Sequence, residues 1–324
     1  MASIALTAGV RSFAIHRELL DHPNARSSHT VPTPRGGGVA VIAASLLVTA
    51  VAVLVGLVHT PDAITFGVGV CVLGAVGWLD DTRNLKAGIR LAVHVAVAAW
   101  TVYMLGGFPV MRFGDAALAI GAIGYVLAIL GIVWSINLFN FMDGIDGLAA
   151  SQAVVIFSAV GVLLSMRGEY SLATIAALAG AASGGFLVWN WPPAKIFLGD
   201  VGSGPIGYLI AALALASENR QSVPLLAFAI VYGVFVTDAS VTLFRRFRRG
   251  ARVTEAHRDH AYQRLTRLWG SHKPVTASTA LVTVVLAILA VMSARNERLL
   301  PFCFVGAALL LGALLVAVER RAPM

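Results

Sequence analysis

Apolar and polar residues in this chain fall into long separate blocks, without the alternation of a half-buried strand or the narrow stripe of a surface helix. Apolar stretches at 38 to 58, 63 to 79, 89 to 105, 117 to 136, 148 to 166, 172 to 189, 223 to 243, 276 to 293 and 299 to 317 each have a length that crosses a bilayer, about 17 to 25 residues. A tenth, near 204 to 216, is short and reaches spanning length only by drawing in Gly202, Ser203 and Ser217. It is included because the basic loops then share one side. The pattern predicts an all-α polytopic membrane helix bundle of about ten transmembrane helices. It forms one domain over residues 1 to 324, without repeat or internal boundary. Residues 1 to 20 mix apolar positions with Arg11, His16 and Arg17 and are too polar for a full span. They read as the inner end of a first helix whose outer half is missing, or as an interfacial helix. No secretory signal pattern is present.

Composition agrees. The chain is 58% hydrophobic and 12% charged, with a mean hydropathy of +0.82, against about 25% charged in soluble domains. A soluble protein is excluded. The net charge of +8 would suit a nucleic-acid partner, but its distribution argues otherwise. Of 24 Lys and Arg residues, 19 fall in alternate loops: 11 to 37, 80 to 90, 190 to 203, 244 to 273 and 318 to 324. The opposite loops carry Arg112, Arg167, Arg220, Arg295 and Arg298. That asymmetry assigns the basic loops to the cytoplasm and leaves no nucleic-acid partner to expect. Cys71 and Cys303 lie inside apolar runs, so they build neither a disulfide framework nor a zinc site.

The candidate chemistry lies on the predicted inner face. Asp80 and Asp81 directly follow an apolar span, where ionisable groups are costly and a functional role is the default. Such a pair holds a hard cation, leaves one carboxylate as a base beside a metal-bound one, or simply turns a solvated loop against Arg83 or Lys86. In Asn137-Leu138-Phe139-Asn140-Phe141-Met142-Asp143-Gly144-Ile145-Asp146-Gly147 the polar side chains recur every third residue and wind round a helix surface as a ribbon. The stretch from Asn190 to Gly204 ends in Gly-Asp-x-Gly-Ser-Gly, a turn of small residues that exposes N–H groups ahead of a helix. Asp200 at its centre would repel phosphate, so the sensible order is carboxylate, metal, phosphate. The last inner loop carries His257-Arg258-Asp259-His260 in a basic stretch, suited to gripping a diphosphate or to binding anionic headgroups. Asp238, one turn inside a span, is either functional or paired with Arg245 or Arg246. Ten spans with polar interruptions also suit a secondary transporter, whose binding groups lie near the midplane. Here the carboxylates gather at the inner ends of spans.

Over about residues 17 to 320 the chain resembles the polyprenyl-phosphate N-acetylhexosamine-1-phosphate transferases. Five segments in the family's order carry the resemblance: Pro23 to Gly38, Asp80-Asp81, Asn137 to Gly147, Asn190 to Ser203, and His257 to His260. The Arg26-Ser27-Ser28-His29 and Pro34-Arg35-Gly36-Gly37-Gly38 segments, with His257-Arg258-Asp259-His260, are most similar to the subgroup that starts O-antigen or related surface glycans. The three-histidine run of the peptidoglycan enzyme is absent. The resemblance implies transfer of N-acetylhexosamine 1-phosphate from a UDP-sugar to undecaprenyl phosphate, releasing UMP, at the cytoplasmic side of a bacterial inner membrane. It implies Mg2+, with Mn2+ as substitute, and allows a homodimer. By position, Asp200 is the expected metal ligand with Asn140 its partner. Asp80 is expected to handle the lipid phosphate as base, and Asp81 to serve metal or orientation. Asn137, Asp143, Asp146 and Asn190 would line the nucleotide-sugar pocket, Phe197 would stack on uracil, and His257 and His260 would contact the donor diphosphate. Arg90, at the start of a span, would hold the lipid phosphate at headgroup level.

Overall fold

The computed structural model describes residues 1–23, 31–113, 116–251 and 257–324. The helices are α1 (Ala2–His16), α2 (Gly38–Leu54), α3 (Thr60–Arg83), α4 (Ala87–Met104), α5 (Ile123–Phe141), α6 (Leu148–Met166), α7 (Tyr170–Asn190), α8 (Asp200–Asn219), α9 (Leu225–Val231), α10 (Gly233–Arg248), α11 (Ala261–Trp269), α12 (His272–Arg295) and α13 (Leu300–Arg321). Strands β1 (Leu20–Asp21) and β2 (Thr33–Pro34) pair antiparallel near the acidic end of the bundle, and β3 (Val110–Phe113) with β4 (Ala116–Ala119) at the other. Among the described residues, eight helices are long and apolar enough to cross a membrane. The bent pair α9 and α10, counted as one broken span, makes a ninth, and α2 is a shorter apolar helix. The chain is a multi-span membrane bundle, as its block pattern predicts.

α8 is the hub. Its apolar window is 83% buried, against 22% for α4, and it packs between α3 and α5. This is the stretch that looked too short to span. It spans because the helix opens at Asp200 and runs through Ser217 to Asn219, with its polar residues facing neighbouring helices instead of lipid.

Three other boundaries differ from expectation. The stretch from 117 begins as strand β4, and the helix starts only at Ile123 but continues to Phe141. Asn137 and Asn140 therefore sit on helical backbone. The stretch 223 to 243 is no single rod, since α9 and α10 meet at 80°. Tyr232 at the break has φ −84° and ψ 0° ahead of Gly233, and a side-chain-free residue is a usual place for a helix to turn. α3 keeps its helical hydrogen bonds to Arg83 and ends at Asn84 in the left-handed conformation, φ 50°, so Asp80 and Asp81 belong to a helix end.

α1 lies beside α7. Ser3 Oγ donates to the Ala182 carbonyl at 2.6 Å, Trp189 Nε1 to the Ile4 carbonyl at 3.1 Å, and Arg11 Nε to the Lys195 carbonyl at 3.2 Å. It follows α7 toward the acidic end, which matches a helix within the bundle and not one lying across its surface.

At the opposite end several of the few arginines are paired: Arg112 with Glu218 at 3.1 Å, Arg167 with Glu297 at 2.5 Å, and Arg220 with both Asp62 and Glu169.

Candidate active site

The start of α8 is set by α3. Asp81 Oδ1 accepts from the Asp200 N–H at 3.0 Å and Oδ2 from the Val201 N–H at 3.1 Å. A carboxylate in this place satisfies two N–H groups that a helix end leaves open, and it meets the positive end of the helix dipole. Two glycines let the elements come this close. A Cβ on Gly77 would lie 2.4 Å from the Asp200 carbonyl oxygen, and one on Gly199 would lie 2.4 Å from Asp81 Oδ2. Gly199 also has φ +75°, a conformation that suits glycine. Asp81, with its side chain 3% exposed, is thereby occupied in fixing Asp200.

Asp200 is the meeting point. Arg35 Nη2 lies 2.8 Å from Asp81 Oδ1 and 3.1 Å from Asp200 Oδ1. Arg90 Nη1 pairs with Asp80 and lies 3.3 Å from Asp200 Oδ2. Asn140 Nδ2 donates to Asp200 Oδ2 at 3.1 Å, and Ser203 Oγ donates to Asn140 Oδ1 at 3.2 Å. The Leu85 N–H holds the other oxygen of Asp80 at 2.7 Å. Arg35 reaches the cluster because its loop is laced to the 197–198 segment. Phe197 N–H donates to the Pro34 carbonyl, Gly37 N–H to the Phe197 carbonyl, and Gly38 N–H to the Leu198 carbonyl, at 2.8, 2.8 and 2.9 Å. The half-buried Phe197 ring stands beside this lacing.

The charges do not balance. Burial costs the Arg35 charge, but Asp81 and Asp200 more than offset this, and its pKa rises above the ordinary arginine value. Asp143 moves the other way: desolvation, then Asp200 and Asp81, push its carboxyl well above the usual range despite Arg35. Four carboxyl groups, Asp80, Asp81, Asp143 and Asp200, thus share two guanidiniums, Arg35 and Arg90, and the raised pKa of Asp143 reports the crowding of like charge that a cation would relieve. Among the described residues no three His, Cys, Asp or Glu side chains converge so as to hold a metal ion by themselves. Asp200 and Asn140 form a partial shell of oxygen donors once the Asn140 amide turns over, since here its Nδ2 faces Asp200 and its Oδ1 accepts from Ser203. Its chemistry fits a hard divalent cation that completes its coordination with phosphate and water.

Asp146, Asn190 and His272 form a second group, next to the first. Asn190 is buried; its Oδ1 accepts from the Gly147 N–H at 3.0 Å and its Nδ2 donates to the Ile196 carbonyl at 2.9 Å. Its amide is spent on joining two loops. Asp146 Oδ2 accepts from the Ala194 N–H at 3.0 Å, and Oδ1 lies 3.2 Å from His272 Nδ1.

The histidine loop docks on the end of α5. His260 stacks on Phe141 and on Tyr262, with ring centroids 6.5 and 5.8 Å apart, and His257 lies 4.9 Å from His260. Tyr262 Oη donates to the Phe141 carbonyl at 3.0 Å. Burial, then His260 and Arg246, lower the His257 pKa to about 4, so its imidazole is neutral near pH 7. Asp238 caps α11, accepting from the Ala261 N–H at 2.8 Å and the Tyr262 N–H at 3.1 Å, and its Oδ1 lies 3.4 Å from His260 Nδ1. Among the described residues Arg245 and Arg246 pair elsewhere than with Asp238. Arg245 binds Glu319 at 2.8 Å, and Arg246 binds Asp259.

Asn137 stands apart from the rest. One turn before Asn140, it faces α4, where its Nδ2 lies 3.4 Å from His94 Nδ1. The Arg26-Ser27-Ser28-His29 segment and Arg252 lie outside the described residues. Three participants escaped the sequence reading. Arg35 stands in a Pro-Arg-Gly-Gly-Gly run, and a guanidinium in such a run is a signal. His94 follows Arg90 by four residues on one helix face, a spacing that marks it. Nothing local distinguishes His272.

Known proteins supply the remaining comparison. The family model described as glycosyl transferase family 4 matches residues 63–218. The chain is 29% identical to the probable undecaprenyl-phosphate N-acetylglucosaminyl 1-phosphate transferase of Bacillus subtilis, over 89% of this chain and 81% of that protein. It is 27% identical to the undecaprenyl-phosphate alpha-N-acetylglucosaminyl 1-phosphate transferase of Escherichia coli K12, over 85% and 76%. To the decaprenyl-phosphate N-acetylglucosaminephosphotransferase of Mycobacterium tuberculosis it is 30% identical, over 97% of this chain and 86% of that one. With similarity sustained along nearly its whole length, the chain belongs to the polyprenyl-phosphate N-acetylhexosamine-1-phosphate transferases of glycosyl transferase family 4.

Proposed function

We propose that this protein transfers N-acetylhexosamine 1-phosphate from a UDP-sugar to a polyprenyl phosphate, forming the diphosphate-linked lipid and UMP. The observation that carries the proposal is the Asp200 cluster, in which carboxylates outnumber the two guanidiniums at the mouth of a membrane bundle. N-acetylglucosamine is the first sugar to test, because all three relatives compared carry it in their names. Undecaprenyl phosphate is the first acceptor. The basic bias of the loops around the cluster argues for an active site facing the cytoplasm, at a bacterial inner membrane. Formation of a surface-glycan precursor such as that of O-antigen is the role the loop motifs favour.

The reaction joins an oxygen of the acceptor phosphate to the sugar-bearing phosphorus of the donor and breaks the bond from that phosphorus to the oxygen of UMP. Catalysis of this kind rests on positioning and on spreading charge. In this reading Arg90, at the start of α4, would hold the acceptor phosphate, and Arg35 a donor oxygen, by charge-assisted hydrogen bonds. Asp80, held by Arg90 and the Leu85 N–H, takes any proton left on the acceptor. That task is small, since a phosphate monoester with a second pKa of about 6 is largely ionised at pH 7. Asp143 and Asp146 border the site where the sugar and nucleotide would lie, with the Phe197 ring beside the uracil. His257 and His260 close it from the α11 side. A bound Mg2+, held by Asp200 and Asn140, would neutralise charge on the diphosphate. Between α5 and the bent pair, a cavity of about 260 Å³ lined by Leu127, Leu138, Ile210, Phe228 and Val236 is apolar enough for isoprene units.

The test mixes purified protein, undecaprenyl phosphate, Mg2+ and a panel of UDP-N-acetylhexosamines, and measures UMP. Release with one donor supports the proposal. No UMP with any donor overturns it.

A further inference from the structure

α4 carries a second polar side chain on the face that holds Arg90. His94 follows Arg90 by four residues, so it lies on the same helix face about one turn, or about 5.4 Å, deeper in the bilayer. Its charged neighbours are Arg90 and Asp80, the two groups assigned above to the acceptor phosphate. Half-buried within a span, an imidazole here is costly unless something uses it.

The hydrogen bonds fix which nitrogen is used by the protein. Asn137 Nδ2 has two N–H groups. One goes to the Val133 carbonyl at 2.7 Å and the other to His94 Nδ1 at 3.4 Å. Nδ1 is therefore the acceptor, and the proton of the neutral ring sits on Nε2. Among the described residues His94 Nε2 has no hydrogen-bond partner. The ring is held at one nitrogen and presents an N–H at the other.

We infer that His94 is an acceptor-binding residue, whose Nε2–H donates to the polyprenyl phosphate at the point where its headgroup passes into the hydrocarbon. This rests on the transferase reading above and adds a residue to it. Arg90 would grip the phosphate from the surface and His94 from one turn below, so that the pair fixes its depth as well as its charge. Asn137 then serves as the positioning residue for the ring, rather than as a contact of the nucleotide sugar.

A purely structural tie between α4 and α5 would need Nδ1 alone, and substitution separates the two nitrogens. His94→Asn places a polar atom near the Nδ1 position without the reach of Nε2, whereas His94→Gln reaches the Nε2 position. Steady-state UMP release would be measured while acceptor and donor are varied in turn. Loss of a hydrogen bond to a charged group is expected to raise the acceptor KM about tenfold or more in His94→Ala and His94→Asn. The UDP-sugar KM should stay within about twofold, and His94→Gln should keep most of the wild-type acceptor affinity. His94→Asn behaving as wild type, or both KM values rising together, would overturn the assignment. If His94→Ala does not fold, the contrast between Asn and Gln still decides. A wild-type protein that releases no UMP would instead refute the transferase reading itself.

Discussion

Asp81 and Asp200 are adjacent carboxylates with opposite duties, since Asp81 accepts the Asp200 N–H at 3.0 Å and the Val201 N–H at 3.1 Å. One holds a helix end so that the other can face the site. Arg35, bridging the two at 2.8 and 3.1 Å, keeps both charges tolerable.

Removing the cap should therefore cost stability before it costs chemistry. Asp81→Ala is expected to lower the unfolding free energy by about 1 to 2 kcal/mol, the range for a lost N-cap, and to reduce activity because Asp200 moves. Thermal melts in detergent check this. An unchanged melting temperature with activity abolished would mean that Asp81 touches substrate or ion directly.

Asp200 should behave differently. Asp200→Asn keeps the shape and the N–H groups that Asp81 caps, so it should insert and melt like the wild type while UMP release falls about a hundredfold or more. Chelation should do the same to the wild type, with activity restored by Mg2+ or Mn2+. Full activity in chelator would remove the metal from the proposal.

Gly144 tests how the histidine loop is seated. A Cβ there would lie 2.1 Å from Tyr262 Oη and 3.1 Å from its ring carbon, so Gly144→Ala should push α11 away and carry His257 and His260 with it. Small misplacements of this kind cost about a hundredfold in rate. Adding Tyr262→Phe removes the clashing oxygen and should recover part of the loss. No recovery in the double variant would show that the clash is not the cause.

The His257 imidazole carries a pH signature. Its pKa in the folded protein is lowered to about 4 by burial, with His260 and Arg246 adding to it, against about 6.5 when unfolded. Between these values the unfolded chain binds a proton that the folded one refuses. The stabilising contribution is thus complete above pH 6.5 and is lost as pH falls toward 4. Melting temperatures taken across this window should fall less steeply for His257→Asn than for wild type. Parallel curves would show that His257 titrates normally.

The blocks of apolar residues determined the class of fold and most of the spans, because a bilayer demands length and apolarity that any reader of the chain can count, although of the ten expected the short α2 and the bent pair α9 and α10 depart from single full-length helices. They also placed the aspartates at helix ends, where charge is cheapest. The family was legible too, in five short polar segments that interrupt those blocks. Decided only in three dimensions was the division of labour. Asp80 and Asp81 are chemically identical neighbours, yet one pairs with Arg90 and the other caps α8, a difference set by the angle at which α3 meets α8. The same holds for Asp238, whose partners come from 23 and 24 residues away, and for Arg35, drawn to Asp200 across 165 residues. Local pattern reports what each segment must bury. It carries no information about which distant group meets a carboxylate once the helices have packed.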